Sequence, residues 1–449
     1  MDYAEMKQYI AAQKFTFYIE TYGCQMNSHD SEKIAGILTT LGYRPNPVKE
    51  DADLILFNTC CVRENAENKI FGNVGKMKQI KQKRPHLIVG VCGCMMQQAG
   101  VAERLGKMFP FVDLIFGTNN MQELPQMIWQ ILMEKGRSMC IRQEGVAEEE
   151  VEMLRTPPPL ASVNIMQGCD NFCTYCIVPY VRGREHSRPI HAIVREIEQL
   201  MEQGYKEVML LGQNVNSYGK GLENADFPTL LDAVARTGIE RIRFMTSHPK
   251  DASMKMLEQM AKHDNICKQL HLPVQAGSTR ILQEMNRKYT REQYLRLVEQ
   301  IRREIPGISL STDIMVGFPG ETDSDFEETV SLMETVKYDA AFTFVYSPRK
   351  GTKAAQMPGQ ISEEVKQQRI MRLVALQAEH TYQSNLANVG KIEKILIEGQ
   401  STKDAKAVCG RTDGGKMVNL PGSMQLLGKM VTAEITEAKK TTLLGRILN

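Results

Sequence analysis

From Lys14 onward the chain alternates between short apolar runs and helical stretches, and this alternation leaves few folds open. KFTFYIE is followed by NSHDSEKIAGILTTLGY and ADLILFN by VRENAENKIFGNVGKMKQIK, while HLIVGV and VDLIFG precede an amphipathic MQELPQMIWQILMEK. Strands separated by helices pair in parallel, because a parallel pair needs a long crossover whereas an antiparallel pair needs only a tight turn. An open parallel sheet is therefore expected over 14–135. Just past its first three strands stand Cys24 in TYGCQMN, Cys60 in NTCCVRE and Cys94 in GCM, 36 and then 34 residues apart. Loops at the carboxyl ends of successive parallel strands converge on one crevice. Three thiols distant in sequence are thus expected to become neighbours.

Glu144 to Glu152 is acidic and Thr156 to Pro159 contains PPP, so 136–155 reads as a linker that cannot continue a helix. Six further strand candidates follow: SVNIM, EVMLLG, RIRFMT, QLHLPV, LSTDIM and AFTFVY. Helical stretches lie between most of them, such as HAIVREIEQLMEQG with Ile193, Ile197, Leu200 and Met201 on one face. A partial barrel of six strand-helix units is expected over 156–385. From 386 to 449 the pattern turns β-rich and punctuated by Gly, Asp and Pro, which reads as a small β-barrel.

A chain of 449 residues exceeds one ordinary core, and 42 % hydrophobic residues with 24 % charged exclude disorder. The 55 Lys and Arg nearly balance the 53 Asp and Glu, so overall charge announces no polyanion partner. The basic excess is local, with ten Lys or Arg against six Asp or Glu in 386–449. No run approaches the roughly 18 apolar residues of a membrane helix. The opening MDYAEMKQYI lacks a signal pattern, so a cytoplasmic location is expected. Eleven cysteines are too sparse for a disulfide scaffold and point to metal or redox chemistry.

The run QGCDNFCTYCIVPYVRGREHSRP holds Cys169, Cys173 and Cys176 with no fourth thiol nearby. A closed zinc site needs four ligands, for which only His186 and His191 are near, and ferredoxin clusters use a different spacing. Three thiolates on a four-iron cube would leave one iron open to a substrate or cofactor. Zinc sites and buried thiols remain the alternatives at this point.

The Cx3Cx2C run in the first loop of a βα barrel resembles the radical S-adenosylmethionine enzymes. TYGCQMN, NTCCVRE, GCMMQQ, LLGQNVNSYG, LHLPVQAGS and STDIMVGFPGET extend that resemblance to the methylthiotransferases, and within them to the group acting on prenylated adenosine in tRNA. The similarity runs from about residue 14 to the end, and the terminal barrel resembles that family's TRAM domain, an RNA-binding module. The resemblance implies two 4Fe-4S clusters. Cys169, Cys173 and Cys176 would hold the one that cleaves S-adenosylmethionine, and Cys24, Cys60 and Cys94 an auxiliary one. It further implies that one S-adenosylmethionine methylates a sulfur while a second is cleaved reductively, and that methylthio is then placed on carbon 2 of N6-dimethylallyladenosine beside the anticodon.

A low-potential donor such as flavodoxin or ferredoxin would supply the electron, and the enzyme is expected to be a monomer. Threonylcarbamoyl-adenosine in tRNA, or an aspartate of a ribosomal protein, are the alternative substrates, with NFCTYCIVPYVRGREHSR and NVNSYG favouring the first reading. By the same resemblance Gly212, Gln213 and Asn214 would meet the amino group of S-adenosylmethionine, and the stretch from Asp313 to GFPGE its adenosine. The plain reading of both is turn chemistry. Arg182, Arg184, His186 and Arg188 are expected to reach the RNA backbone, since guanidinium groups form a fixed fork for phosphate; otherwise they form a solvated face. Tyr180 and Tyr218 suit either pocket or core. Cys61 and Cys92 depart from the family pattern beside Cys60 and Cys94, while Cys140, Cys267 and Cys409 read as inert thiols.

Overall fold

The computed structural model describes residues 3–61, 64–142 and 152–448, excepting the side chains of 64–68. Within the segment expected as a linker, 143–151 lie outside the described residues. The described residues form two compact units: one runs to Thr156 and takes in 167–169 and 177–184, and the other takes in the rest.

The first unit is built on a six-stranded, all-parallel sheet. Its strands lie in the spatial order Arg44–Pro45, Thr16–Thr21, Leu54–Thr59, Ile88–Gly93, Leu114–Phe116, Ser138–Cys140. Leu54–Thr59 and Ile88–Gly93 are buried at every position, as central strands covered on both faces must be. The last strand, Ser138–Cys140, lies inside the stretch expected as a linker. Three residues are too few to show a period. The helix Tyr3–Gln13 was equally invisible, because it buries only Met6 and Ile10.

In the second unit the six expected strands appear as two parallel three-stranded sheets, Leu160–Asn164, Glu207–Leu211 and Arg241–Phe244, then Gln269–His271, Ser309–Val316 and Ala340–Val345. A parallel bridge between Ile242 and Ile266 links the two halves. One face of each strand packs into a single core with the surrounding helices, through Val163, Val208, Leu210, Ile242, Leu270, Leu310 and Ile314. The alternate residues face the lumen. A 24-residue helix, Glu363–Leu386, closes the barrel region, with Gln377 and Thr381 donating to the carbonyls of Tyr338 and Asp339. Five strands between Ile392 and Ile447 then close a small barrel.

That small barrel supplies a floor to the larger one. Glu207, Arg241, Gln269 and Ser309 are the first residues of their strands, and the turn after Ala407–Arg411 presses against them. Arg243 donates to the carbonyls of Thr412 and Asp413 at 2.7 and 2.9 Å and to Gln269 Oε1 at 2.6 Å, and its Nε lies 3.1 Å from Glu207. Arg241 donates to the carbonyls of Arg411 and Lys394, and Asp413 accepts the Lys268 N–H at 2.8 Å. The approach requires glycine: a Cβ on Gly415, whose φ is +80°, would overlap the Gln269 amide. No helix among the described residues is long and apolar enough to cross a membrane.

Candidate active site

The three strand-end cysteines of the first unit converge. Cys60 and Cys94 are buried, and Cys24 is exposed immediately before the helix Gln25–Thr40. Gly23 allows this, since with φ at +111° its hypothetical Cβ would overlap Cys60. Cys24 and Cys60 share a hydrogen bond that, with the Asn27 backbone and the Arg182 charge, outweighs burial and brings the Cys24 thiol down to about 6. Cys61 forms the corresponding pair with Cys94 and lowers its pKa, aided by Arg182. The two rivals flagged in the sequence are placed differently, Cys92 on the strand Ile88–Gly93 and Cys61 in the loop past Leu54–Thr59. Cys92 points into the hydrophobic core beside Leu114 and Phe116, whereas Cys61 clusters with Cys94, Ile177 and Val181.

Asn27 was not picked out by sequence reasoning, and it holds this site together. Its Nδ2 donates to the carbonyls of Tyr22 and Thr59, both at 2.9 Å, tying two strand ends, and its Oδ1 accepts from Arg182 at 3.0 Å. Its position in TYGCQMN was the available signal. Arg182 corrects an expectation: it is buried rather than set toward RNA, 2.6 Å from Asp30, with Nε 3.2 Å from Cys94 Sγ. Arg188 is likewise taken up in the fold, by the Asn164 carbonyl at 2.6 Å and Glu196 at 2.7 Å. Arg184 is exposed.

The second cysteine run is anchored through its backbone. The Cys169 N–H donates to the Gly183 carbonyl at 3.2 Å, within the first unit. In the second unit the Cys176 N–H donates to the Cys173 carbonyl at 2.9 Å, and Thr174 bonds the carbonyls of Met285 and Glu284. Asn286 donates to the carbonyls of Asn171 and Phe172. Arg287, buried next to it, reaches Cys173 Sγ at 3.5 Å. Cys169 and Cys173 are buried and Cys176 is half-buried.

The loop after Glu207–Leu211 carries Gln213 and Asn214. Both ends of the Asn214 amide are engaged, with Asp251 at 2.7 Å and the His248 N–H at 3.1 Å, so its visible role is to join two strand-end loops. Gln213 Oε1 is buried and has no hydrogen-bond partner among the described residues, which leaves it an acceptor to offer. Asp313 faces the lumen 3.5 Å from His271 Nε2, opposite Phe342 in the strand register. Met315 and Phe344 follow on the same face, and Phe342 is 51 % exposed there. Tyr218 is core, its hydroxyl donating to the Arg188 carbonyl, and Tyr180 is exposed.

The residues fit iron-sulfur clusters. Two sets of three cysteines each carry a buried guanidinium against one thiol, which suits an anionic thiolate-bound group. Among the described residues no three His, Cys, Asp or Glu side chains are placed to share a single metal ion.

Residues 16–117 match the family model UPF0004, 163–333 the radical SAM superfamily and 386–448 the TRAM domain. The tRNA-2-methylthio-N(6)-dimethylallyladenosine synthase of Clostridium perfringens is 51 % identical over 439 residues, covering 97 % of this chain and 98 % of that one. The chain belongs to the tRNA-2-methylthio-N(6)-dimethylallyladenosine synthase family. The family member of Caldicellulosiruptor saccharolyticus is also 51 % identical, over 96 % of this chain and 92 % of its own. Among solved structures, the radical S-adenosylmethionine methyltransferase TsrM of Kitasatospora setae shares the fold at a TM-score of 0.58 and 15 % identity, covering 76 % of this chain and 77 % of that one. Both cysteine sets lie in regions the family models match, Cys24, Cys60 and Cys94 within 16–117 and Cys169, Cys173 and Cys176 within 163–333.

Proposed function

We propose that this chain converts N6-dimethylallyladenosine beside the anticodon of tRNA to its 2-methylthio derivative, consuming two molecules of S-adenosylmethionine. The observation that carries the reading is the 51 % identity to a synthase of that name across nearly both full lengths. In this reading 14–135 holds an auxiliary 4Fe-4S cluster through Cys24, Cys60 and Cys94. Residues 156–385 hold the S-adenosylmethionine cluster through Cys169, Cys173 and Cys176, and 386–449 bind RNA. When bound, the clusters and S-adenosylmethionine supply the radical and sulfur chemistry.

The chain's own residues do the positioning. Gln213 Oε1 offers its free acceptor to the amino group of S-adenosylmethionine, and Asp313 offers a carboxylate to its ribose. The lumen face of Met315, Phe342 and Phe344 suits the prenyl group, an apolar appendage that the sequence alone did not place. A base in an anticodon loop is already unpaired, so little unstacking is needed to bring it to such a face. Arg184 and the basic small barrel meet the RNA backbone. The enzyme works as a cytoplasmic monomer with a flavodoxin or ferredoxin as electron donor.

Nucleoside mass spectrometry of tRNA from a deletion strain tests the reading. Loss of methylthio from prenyl-adenosine is expected. Loss confined to threonylcarbamoyl-adenosine, or an unchanged profile, would reject it. A second measurement separates Cys60 from its neighbour: reconstituted Cys60→Ala should lose about half the iron, whereas Cys61→Ala should keep all of it.

A further inference from the structure

Arg287 carries a buried charge that no carboxylate among the described residues neutralises. The residue is 5 % exposed, and its guanidinium donates to the Pro273 carbonyl at 2.7 Å, to the Tyr289 hydroxyl at 3.0 Å and toward Cys173 Sγ at 3.5 Å. None of these partners is a carboxylate, and the groups that act on its charge are tyrosines and Cys173. Arg182 provides the contrast, because Asp30 lies 2.6 Å from it and cancels its charge. An uncompensated buried cation is strongly destabilising unless an anion comes to it. The neighbourhood already feels this charge: burial first, then Arg287, keeps His248 neutral, with its pKa down to about 2.

We propose that Arg287 is a positioning residue for the S-adenosylmethionine cluster, its charge reserved for the anionic group bound by Cys173 and used to make that group easier to reduce. The proposal rests on the reading that Cys169, Cys173 and Cys176 hold this cluster. A fixed positive charge at the cysteine sulfur favours the more negative, reduced state, and hydrogen bonds to cluster sulfurs act in the same direction. Tyr289 fixes the fork, as its hydroxyl accepts from Nε while donating to the carbonyl of Val274 at 2.9 Å. The side-chain amide of Asn286 in the same turn clamps the backbone of the cysteine loop, so charge and loop are set by one element.

The test uses the full chain with Cys24, Cys60 and Cys94 replaced by alanine, leaving one cluster to observe by electron paramagnetic resonance in a redox titration. At a fixed solution potential, Arg287→Met should lower the reduced fraction about tenfold, and Arg287→Lys should hold it within about twofold, in keeping with outer-shell effects on metal sites. Arg182→Met in the same background should leave the reduced fraction unchanged. An unchanged reduced fraction in Arg287→Met at full iron content overturns the proposal. If Arg287→Met fails to load iron, Arg287→Lys decides: a reduced fraction near the parent supports the role of charge, and a tenfold fall refutes it. A parent protein that shows no cluster responsive to S-adenosylmethionine rejects the ligand assignment instead, independently of Arg287.

Discussion

Protein carrying Cys169→Ala, Cys173→Ala and Cys176→Ala together is expected to lose all methylthio transfer while keeping about half its iron after anaerobic reconstitution. Iron and sulfide per chain, read beside the visible absorption, check this. The fold should persist because the loop is held by other groups: Thr174 and Asn286 bond across to the turn at 284–287, and none of those bonds involves a thiol. Alanine also fills most of the volume of a cysteine, so the cavities left are small. Retention of all the iron would overturn the ligand assignment. Loss of all of it would mean that the two sites do not load independently.

Arg243→Ala is expected to cost about 3–5 kcal/mol of stability, the usual penalty for breaking a buried ion pair from one side. Glu207 would keep its buried charge without the guanidinium 3.1 Å away, and the carbonyls of Thr412 and Asp413 would lose their donor. The small barrel and the larger one should then melt together at a lowered temperature in calorimetry. A terminal module that serves RNA alone would give the opposite result, two transitions with only one displaced. Observing that would refute the floor contact as a source of stability.

How much of this was legible in the sequence depends on the kind of residue. Leu54–Thr59 and Ile88–Gly93 announce themselves because a central parallel strand, covered on both faces, reads as a nearly continuous apolar run. The cysteines of both sets stand out because their motifs are local, and strand order alone predicts that Cys24, Cys60 and Cys94 lie near one another. Arg182 was misplaced for a physical reason. A charge normally seeks water, and its buried partners Asn27, Asp30 and Cys94 lie far away in sequence, so nothing local hinted that it would be buried. Arg243 and Arg287 escaped in the same way. Their meaning lies in the carbonyls and sulfur they meet, and carbonyls leave no mark in a sequence. The aromatic lumen face of Phe342 and Phe344 was hidden inside AFTFVY, which reads equally well as a strand buried on both sides.

The floor contact also sets a schedule for biosynthesis. Arg241 and Arg243 leave the ribosome well before the turn at 411–415 that receives them, 168 residues or more earlier in the chain. At ordinary elongation speeds that gap lasts roughly 10–35 s. Throughout it the nascent barrel lacks the carbonyls of Lys394, Arg411, Thr412 and Asp413 that take these guanidinium groups. A message truncated before the codons for 386–449 is therefore expected to yield a large domain without a floor rather than an enzyme lacking only its RNA grip.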